Sequence, residues 1–364
     1  MYDRGGIFTI RNITVIGGGS TGYAAAAYFT SKGFDVCLCD NEHFSQVLED
    51  VKAAGGILMR GCAGRGIYAP ATITTDFQAA LKSAELIMVC VPATRQEEIA
   101  KAIVPFVSAG QNILLSPGNL GSFCFRRVFN EYGLNADDNI IAELEGNLCP
   151  CRISGTAEVT IGLPIRKKRV AALPGHLTDK FISFADGVLD FIANRNVFEG
   201  ALLSDNYVLH IGTTLLSSAK IEELADDFVL FQHGLSDAAI HCTEAIRKER
   251  ATLVEQFGLQ ERDSATEFFM ELRDWRHHPE YSVFRTLTGP DSLSHRYIAE
   301  DCWACGALAL SCAERLHIAM PTLRAVIQLS SAINGVDYAA EGRNLENLGF
   351  PSKLSFDDII KSIS

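Results

Sequence analysis

The stretch that decides the fold lies near the start of the chain, ITVIGGGSTGYAAAAYFTSKGFDVCLCD from Ile13 to Asp40. Its first four residues and the apolar run at 34–39 are typical of β-strands. Between them, four alanines and other helix-forming residues follow a glycine-rich turn, and Gly33 comes where the helix is expected to end. The stretch therefore predicts a βαβ unit in which the helix begins in the glycine-rich turn.

The glycines of this turn have the spacing Gly17-x-Gly19-x-x-Gly22. Gly17 permits a tight turn, Gly19 lets the main chain approach a pyrophosphate, and Gly22 lets the helix pack closely on the strand. The first amides of the helix and its positive dipole then hold the phosphates. The cofactor-binding residues predicted here are Gly17, Gly19, Ser20, Thr21 and Gly22. The alternative is a glycine-rich turn that binds no nucleotide.

Asp40 ends the second strand and bears on the choice of cofactor. A carboxylate at this position accepts hydrogen bonds from the adenosine ribose and repels a 2′-phosphate, so NAD(H) is favoured. NADP(H) is the alternative, because Arg60 or Arg65 near the ribose would change that preference.

Strand and helix patterns continue to alternate through the first half of the chain. Strands are predicted at 86–91, 112–115, 140–144, 159–161 and 170–173, and helices at 77–82, 97–107 and 177–193. This order predicts a Rossmann-type, doubly wound parallel sheet in a first domain of residues 1–200, with Asn196–Phe198 near its end. Because ligands of such sheets bind at the carboxyl ends of the strands, Val91 and Pro92 are predicted to bind the cofactor, and the segment 143–152 is expected at the same edge.

The second half of the chain has a different pattern. After residue 200 the strand signals stop, and apolar residues recur at helical spacing at 215–225, 228–246, 252–257, 298–316 and 323–333. We therefore expect an α/β protein with an all-α second domain at 201–364. A Rossmann domain followed by a helical domain is a plan shared by several groups of dehydrogenases.

Composition and charge exclude several classes of protein. The chain has 364 residues, and 44 acidic against 32 basic side chains leave a formal charge of −12, which argues against nucleic-acid binding. The longest apolar run, Leu86–Pro92, is far shorter than the roughly 18 residues of a membrane helix. The N-terminal residues lack the apolar core of a signal peptide. No membrane partner is expected.

The cysteines predict a cytoplasmic location. There are 11 of them, an odd number in a chain too large to need a disulfide framework, so free thiols are expected. Two close pairs, Cys149 with Cys151 and Cys302 with Cys305, lack the mutual spacing of a zinc ribbon. We interpret them as small buried side chains and expect no metal.

Three segments resemble the opine dehydrogenases, the octopine and nopaline dehydrogenase group. They are NYVLHIGTTLLSSAKIE at 206–222, HRYIAED at 295–301, and Glu145 followed six residues later by Cys151-Arg152. The resemblance implies that a 2-oxo acid such as pyruvate condenses with the amino group of an amino acid. NAD(P)H then reduces the imine to a secondary amine.

The resemblance also implies residue roles. His210 corresponds to the catalytic histidine of the family and Asp301 to its partner aspartate. Arg296 is placed to bind the carboxylate of the oxo acid, and Glu145 to meet an ammonium or guanidinium group of the amine. Cys151 and Asn119 are expected to line the substrate site.

The residue types suit this chemistry. An imidazole titrates near neutral pH, and a carboxylate bonded to its second nitrogen fixes the tautomer. A guanidinium binds a carboxylate through two parallel hydrogen bonds.

Each residue also has a structural alternative. His210 alone would be a buried structural histidine, Asp301 would cap the following helix, and Arg296 would pair with Glu300, one helical turn later.

The sequence departs from the family after the histidine. Ile211-Gly212 stand where we expect prolines, and Ser217 replaces another polar group. The amino-acid pocket is therefore left open. The sequence also leaves open the identity of the amine, the product's stereochemistry and the direction of the reaction. The apolar second domain makes a homodimer plausible.

Two other functions compete with this interpretation. One is a 3-hydroxyacid or ketopantoate-type dehydrogenase, in which Lys220, on the helix that begins near His210, would be catalytic. The other is a protein that binds NADH as a sensor and turns over no substrate.

Overall fold

The computed structural model describes residues 10–262 and 265–364. The main chain divides into two compact units, of which the first ends at Val197 and also includes Ser364. The second unit is Phe198–Ile363. The division falls inside a helix, Val197–Leu202, next to the predicted boundary at residue 200.

The first unit alternates strands and helices. The strands are β1 (Asn12–Ile16), β2 (Asp35–Cys39), β3 (Ile57–Gly61), β4 (Gly66–Tyr68), β5 (Thr72–Thr74), β6 (Leu86–Val89), β7 (Asn112–Leu115), β8 (Ile141–Leu144), β9 (Cys151–Gly155), β10 (Glu158–Ile161), β11 (Lys168–Leu173) and β12 (Phe191–Ala193). The helices are α1 (Ser20–Ser31), α2 (Ser45–Ala53), α3 (Phe77–Leu81), α4 (Gln96–Ile103), α5 (Gly121–Glu131), α6 (Thr178–Phe184) and α7 (Val197–Leu202).

The main sheet has eight strands in the order β12-β11-β8-β7-β6-β1-β2-β5. Its neighbours pair in parallel, as the alternating pattern predicts, except that β11 is antiparallel to β8. Alternate residues of a strand enter different cores: Leu86 and Met88 pack with α1, whereas Ile87 and Val89 pack with α4 and α5. Both faces are thus covered, which is typical of a doubly wound fold.

A second sheet of four strands, β4-β3-β10-β9, was not predicted. The strand at 159–161 was expected in the main sheet, and that assignment is wrong. It lies in β10, which is parallel to β3 and antiparallel to β9. The small sheet contacts α1, and the hydroxyl of Ser20 in this helix accepts a hydrogen bond from the Ile153 amide of β9 at 3.0 Å.

The end of the first unit also differs from the prediction. The helix expected at 177–193 is present but shorter than predicted, because α6 ends at Phe184 and residues 191–193 form β12. Gly187 lies in this connection with a φ of +80°, a left-handed conformation that ends a helix readily. Asn196–Phe198, expected near the end of the first domain, leads into α7, within which the division between the two units falls.

The second unit is helical, as predicted. After α7 come α8 (Asn206–Leu215), α9 (Ser218–Leu224), α10 (Leu230–His233), α11 (Asp237–Glu255), α12 (Ala265–Arg273), α13 (Arg296–Asp301), α14 (Ala307–Arg315), α15 (Pro321–Asn334), α16 (Tyr338–Glu341) and α17 (Phe356–Ile363). A π-helical turn, Cys302–Gly306, joins α13 to α14. No helix among residues 10–262 and 265–364 combines the length and apolarity needed to cross a bilayer.

Candidate active site

The glycine-rich turn joins β1 to α1 and is shaped by two crowded glycines. Gly17 has a φ of +128°, and a Cβ there would lie 2.5 Å from the carbonyl oxygen of Cys90. A Cβ on Gly22 would lie 1.7 Å from the carbonyl oxygen of Gly17. Around Gly19, by contrast, nothing lies within 4 Å of the Cβ position. The turn is therefore packed on the protein side and open where the helix begins.

The turn after β6 lies against this glycine turn. The Cys90 amide donates to the Ile16 carbonyl at 2.7 Å, and a Val91 methyl carbon lies 3.4 Å from the Cβ position of Gly17. Val91 is buried and Pro92 is exposed. The structure therefore brings together the two segments that the sequence predicts for the cofactor.

Asp40 is buried and bonded to the main chain. One carboxylate oxygen accepts from the Gly18 amide at 2.8 Å, and the other accepts from the Asn41 amide at 2.8 Å. The second oxygen also lies 3.3 Å from a guanidinium nitrogen of Arg95, whose centre is 4.4 Å from the ring centroid of Phe44.

The cation near Asp40 is not one that the sequence suggested. Arg60 lies in β3 and pairs with Glu158 of β10 at 3.0 Å, and Arg65 is exposed in the loop before β4. The arginine beside the Asp40 carboxylate is therefore Arg95, and not either of the two considered for the NADP(H) alternative. Arg95 follows β6 by six residues, and no local pattern marks it.

Two glutamates at the end of β8 hold neighbouring loops. The buried Glu143 carboxylate accepts from the amides of Leu120 and Ser122 at 3.1 and 3.0 Å, at the start of α5. This fixes the loop that carries Asn119, which is buried with a φ of +51°. One Glu145 carboxylate oxygen accepts from the Asn194 side-chain amide at 3.0 Å.

Cys151 begins β9 and is buried with Cys149. A hydrogen bond between the two thiols, together with burial, raises the pKa of Cys149 well above its usual value. The structure thus places Cys149 and Cys151 in the core, as the sequence indicates for this pair.

In the helical unit, His210 of α8 contacts Asp301 of α13. The imidazole Nδ1 is 2.8 Å from a carboxylate oxygen of Asp301, and 91 positions separate the two residues. Both side chains are buried, and burial raises the pKa of Asp301 to about 7, while the positive charge of Arg296 opposes the shift. Asp301 therefore bonds to the histidine and does not act as a side-chain cap.

Two neighbours of Asp301 on α13 complete this cluster. The Tyr297 ring stacks on the His210 imidazole with centroids 3.8 Å apart and an interplanar angle of 14°. The guanidinium of Arg296 lies 5.3 Å from the Tyr297 centroid and 3.8 Å from the Glu300 carboxylate. The Arg296–Glu300 pairing considered as the structural alternative is thus present. Tyr297 was missed, although it is the third residue of the His-Arg-Tyr segment.

A buried arginine holds the start of α8. Arg250 of α11 donates to the Ser204 carbonyl at 2.9 Å and to the Asp205 carboxylate at 3.0 Å. It also forms two hydrogen bonds to Glu261, at 2.7 and 2.6 Å. Because Asp205 immediately precedes α8, this network orders the helix that carries His210. No motif in the sequence indicated it.

Lys220, the catalytic residue of the competing dehydrogenase hypothesis, lies elsewhere. It is exposed on α9, whereas His210 belongs to α8, which ends at Leu215. The expectation that both residues share one helix is wrong, because a break at Leu216 and Ser217 separates the two helices.

Comparisons with known proteins identify the family of this chain. Residues 193–334 match the family model described as NAD/NADP octopine/nopaline dehydrogenase, alpha-helical domain. An opine dehydrogenase of Arthrobacter sp. (strain 1C) is 30% identical over 348 residues, which are 93% of this chain and 95% of the relative. The chain belongs to the opine dehydrogenase family. The predicted activity of an NAD(P)-dependent oxidoreductase that acts on CH–NH groups is thereby confirmed.

Solved structures of opine dehydrogenases share the fold. Octopine dehydrogenase with NADH and L-arginine aligns with a TM-score of 0.68 at 16% identity, over 97% of this chain and 98% of that one. Yersinopine dehydrogenase with NADP⁺ aligns with a TM-score of 0.63 at 13% identity, over 98% of both chains. Residues 13–116 also match the model described as Ketopantoate reductase PanE/ApbA. That match covers part of the first unit only.

Proposed function

We propose that this opine dehydrogenase joins a 2-oxo acid, pyruvate or a similar compound, to the amino group of an amino acid through an imine that is reduced to a secondary amine. The reverse oxidation uses the same groups. The observation that carries the proposal is the buried His210–Asp301 pair, since it supplies an oriented acid–base group in the unit that matches the family.

His210 moves protons in this proposal. Condensation of an amine with an oxo acid releases water. Its steps remove a proton from the attacking nitrogen and add a proton to the departing oxygen. Because Nδ1 is bonded to Asp301, exchange with the substrates falls to Nε2. The Asp301 carboxylate holds the tautomer through its bond to Nδ1. Because burial raises the pKa of Asp301 to about 7, this group carries the full negative charge that balances an imidazolium only above neutral pH. When bound, NADH supplies the hydride that reduces the imine.

The substrate carboxylate and the amine are assigned to different residues. Arg296 binds the carboxylate of the oxo acid, for which its planar guanidinium is suited, and its contact with Glu300 is long enough, at 3.8 Å, to be exchanged. Glu145 faces the cationic part of the amine, and Asn119 and Cys151 line that site.

The cofactor lies on the glycine turn in this proposal. The pyrophosphate meets the open side at Gly19 and the first amides of α1, from Ser20 to Gly22, with Val91 and Pro92 alongside. Asp40 favours NADH over NADPH. Arg95 beside it offers a positive charge to a 2′-phosphate, so NADPH is the second choice.

We also propose a cytoplasmic homodimer with small-molecule substrates and no nucleic-acid or membrane partner. The location is supported by the 11 cysteines, which are thiols throughout the part of the chain that the structure describes. The roles of residues 1–200 in cofactor binding and 201–364 in catalysis follow the division of the chain into two units.

The test is the oxidation of NADH, followed by absorbance, with pyruvate and 2-oxoglutarate, each against a panel of basic and apolar amino acids. NADPH is measured in parallel. Turnover that requires both oxo acid and amine is expected and identifies the amine. Turnover with an oxo acid alone indicates a hydroxyacid dehydrogenase, and binding of NADH without turnover across the panel favours the sensor hypothesis.

A further inference from the structure

The imidazole of His210 is held by a second group besides Asp301. The Tyr297 ring stacks face to face on the imidazole, with an interplanar angle of 14° and centroids 3.8 Å apart. Both residues are buried. We propose that Tyr297 is a positioning residue, which fixes the plane of the His210 imidazole for proton transfer. This inference rests on the proposed function of His210.

The two contacts restrain different motions of the imidazole. The hydrogen bond from Nδ1 to Asp301 sets the direction of one ring nitrogen, but a ring held by one bond can still rotate about that bond. A parallel aromatic ring at stacking distance opposes this rotation, because tilting the imidazole breaks the contact of the two faces. Together they fix the position of Nε2, and a proton-transfer group must be held within a fraction of an ångström.

One short helix provides both restraints. Tyr297 and Asp301 are four residues apart on α13, so their side chains leave the same face of the helix toward α8. The Tyr297 ring is itself held, because the His295 ring meets it edge-on at 4.7 Å and an angle of 87°. The guanidinium of Arg296 lies 5.3 Å from the Tyr297 centroid. The ring thus contacts both the proposed acid–base group and the proposed carboxylate-binding group.

The test compares two substitutions in the full-length enzyme. Tyr297→Phe keeps the ring and removes only the hydroxyl, so kcat is expected to stay within about threefold of the parent. Tyr297→Leu removes the ring face, and kcat is expected to fall about tenfold while the KM values for NADH and the oxo acid change little. Steady-state kinetics with the substrate pair identified above measure both parameters.

A matched control separates positioning from general loss of packing. Tyr338 is also buried in the helical unit, where its hydroxyl accepts from Asn334 at 3.0 Å. Tyr338→Leu makes the same chemical change on α16, which carries neither His210 nor Asp301. It is expected to lower the melting temperature as Tyr297→Leu does, while kcat of the folded fraction is unchanged.

The possible outcomes distinguish the inference from the proposed function on which it rests. If Tyr297→Leu keeps full kcat while His210→Ala loses it, the stacking role is overturned and the role of His210 stands. If His210→Ala keeps its activity, both are overturned. If kcat falls equally in Tyr297→Phe and Tyr297→Leu, the effect comes from the hydroxyl. If only the KM of the oxo acid changes, the ring acts by positioning Arg296. Either result overturns the inference.

A measurement on the parent enzyme covers the case in which Tyr297→Leu does not fold. The ring protons of His210, assigned by comparison of NMR spectra with those of His210→Asn, are expected upfield of the other histidines because they lie over the Tyr297 face. Tyr297→Phe is expected to preserve that shift. Ordinary histidine shifts in the parent enzyme would contradict the stacked arrangement.

Discussion

The glycine turn and the His210–Asp301 pair differ in how the chain brings their atoms together. Gly17 and Gly22 lie five positions apart in one βαβ unit. The Gly17 carbonyl crowds Gly22, and Gly17 is crowded by the Cys90 carbonyl of the turn after β6. His210 and Asp301 lie 91 positions apart, on α8 and α13, and meet only when the helical unit packs. The glycine spacing of the first region is visible in one short segment of sequence, whereas the pairing in the second region is visible only in the tertiary structure.

This difference determines what mutation should do in each region. At Gly17 and Gly22, added side-chain atoms collide with the main chain, so stability and cofactor binding change together. In the helical pair, removal of a side chain leaves α8 held by Arg250 and its partners, so catalysis should be lost with the fold retained.

The largest effect is expected in the helical unit. His210→Ala should lower kcat by roughly 10²–10⁴, the usual contribution of a positioned acid–base group, while the affinity for NADH is retained. Steady-state kinetics and fluorescence titration with NADH measure the two quantities. His241→Ala, an exposed histidine of α11, serves as the control. A loss below about tenfold would falsify the assignment of His210.

A pair of glycine substitutions sharpens the contrast within the turn. Gly22→Ala places a Cβ 1.7 Å from the Gly17 carbonyl oxygen, so the free energy of unfolding should fall by about 3 kcal/mol or more. Gly19→Ala meets nothing within 4 Å, and at the N-cap of α1 it should lower the free energy of unfolding by no more than about 1 kcal/mol.

The same pair separates stability from cofactor binding. Gly19→Ala should still weaken NADH about tenfold, because its methyl group occupies the open approach to the pyrophosphate. Urea denaturation and NADH titration test both variants. Equal stability of the two proteins would show that the crowding at Gly22 is relieved, and unchanged NADH affinity in Gly19→Ala would place the pyrophosphate elsewhere.

The smallest effect concerns Arg296. Arg296→Lys keeps the charge but loses the planar fork, so the KM for the oxo acid should rise about tenfold with a smaller change in kcat. Arg273→Lys, at an exposed ion pair with Asp237, is the control and should leave both constants unchanged. An unchanged KM for the oxo acid in Arg296→Lys would show that the guanidinium has only a structural role, in its contact with Glu300.

The same contrast explains what could be predicted from the sequence. The glycine turn, β7 at Asn112–Leu115 and the helical second unit follow from local spacing and apolar periodicity. The small sheet could not be found in this way, because β4 has three residues and β10 pairs with β3, a segment about 100 positions earlier.

The residues of the candidate site also differ in whether the sequence or only the structure could indicate them. The roles of His210 and Asp301 came from a family resemblance, and their contact came from the structure. Arg95 and Arg250 carried no local signal, since each acts on a partner that is distant in sequence. Tyr297 stood in a recognised segment, but only packing shows which ring it faces.

The π-helical turn at Cys302–Gly306 has a consequence for how this chain tolerates changes in length. A π turn behaves as one extra residue inserted into an α-helix, so the helix before it and the helix after it are out of phase. Gly306 fits this wide turn closely, since a Cβ there would lie 3.0 Å from the Asp301 carbonyl oxygen. Deleting one residue here would restore a regular helix and rotate α14 by about 100° relative to α13. The face bearing Tyr297 and Asp301 and the face that anchors α14 could then no longer be buried together, so a shorter homologue needs a differently packed helical unit.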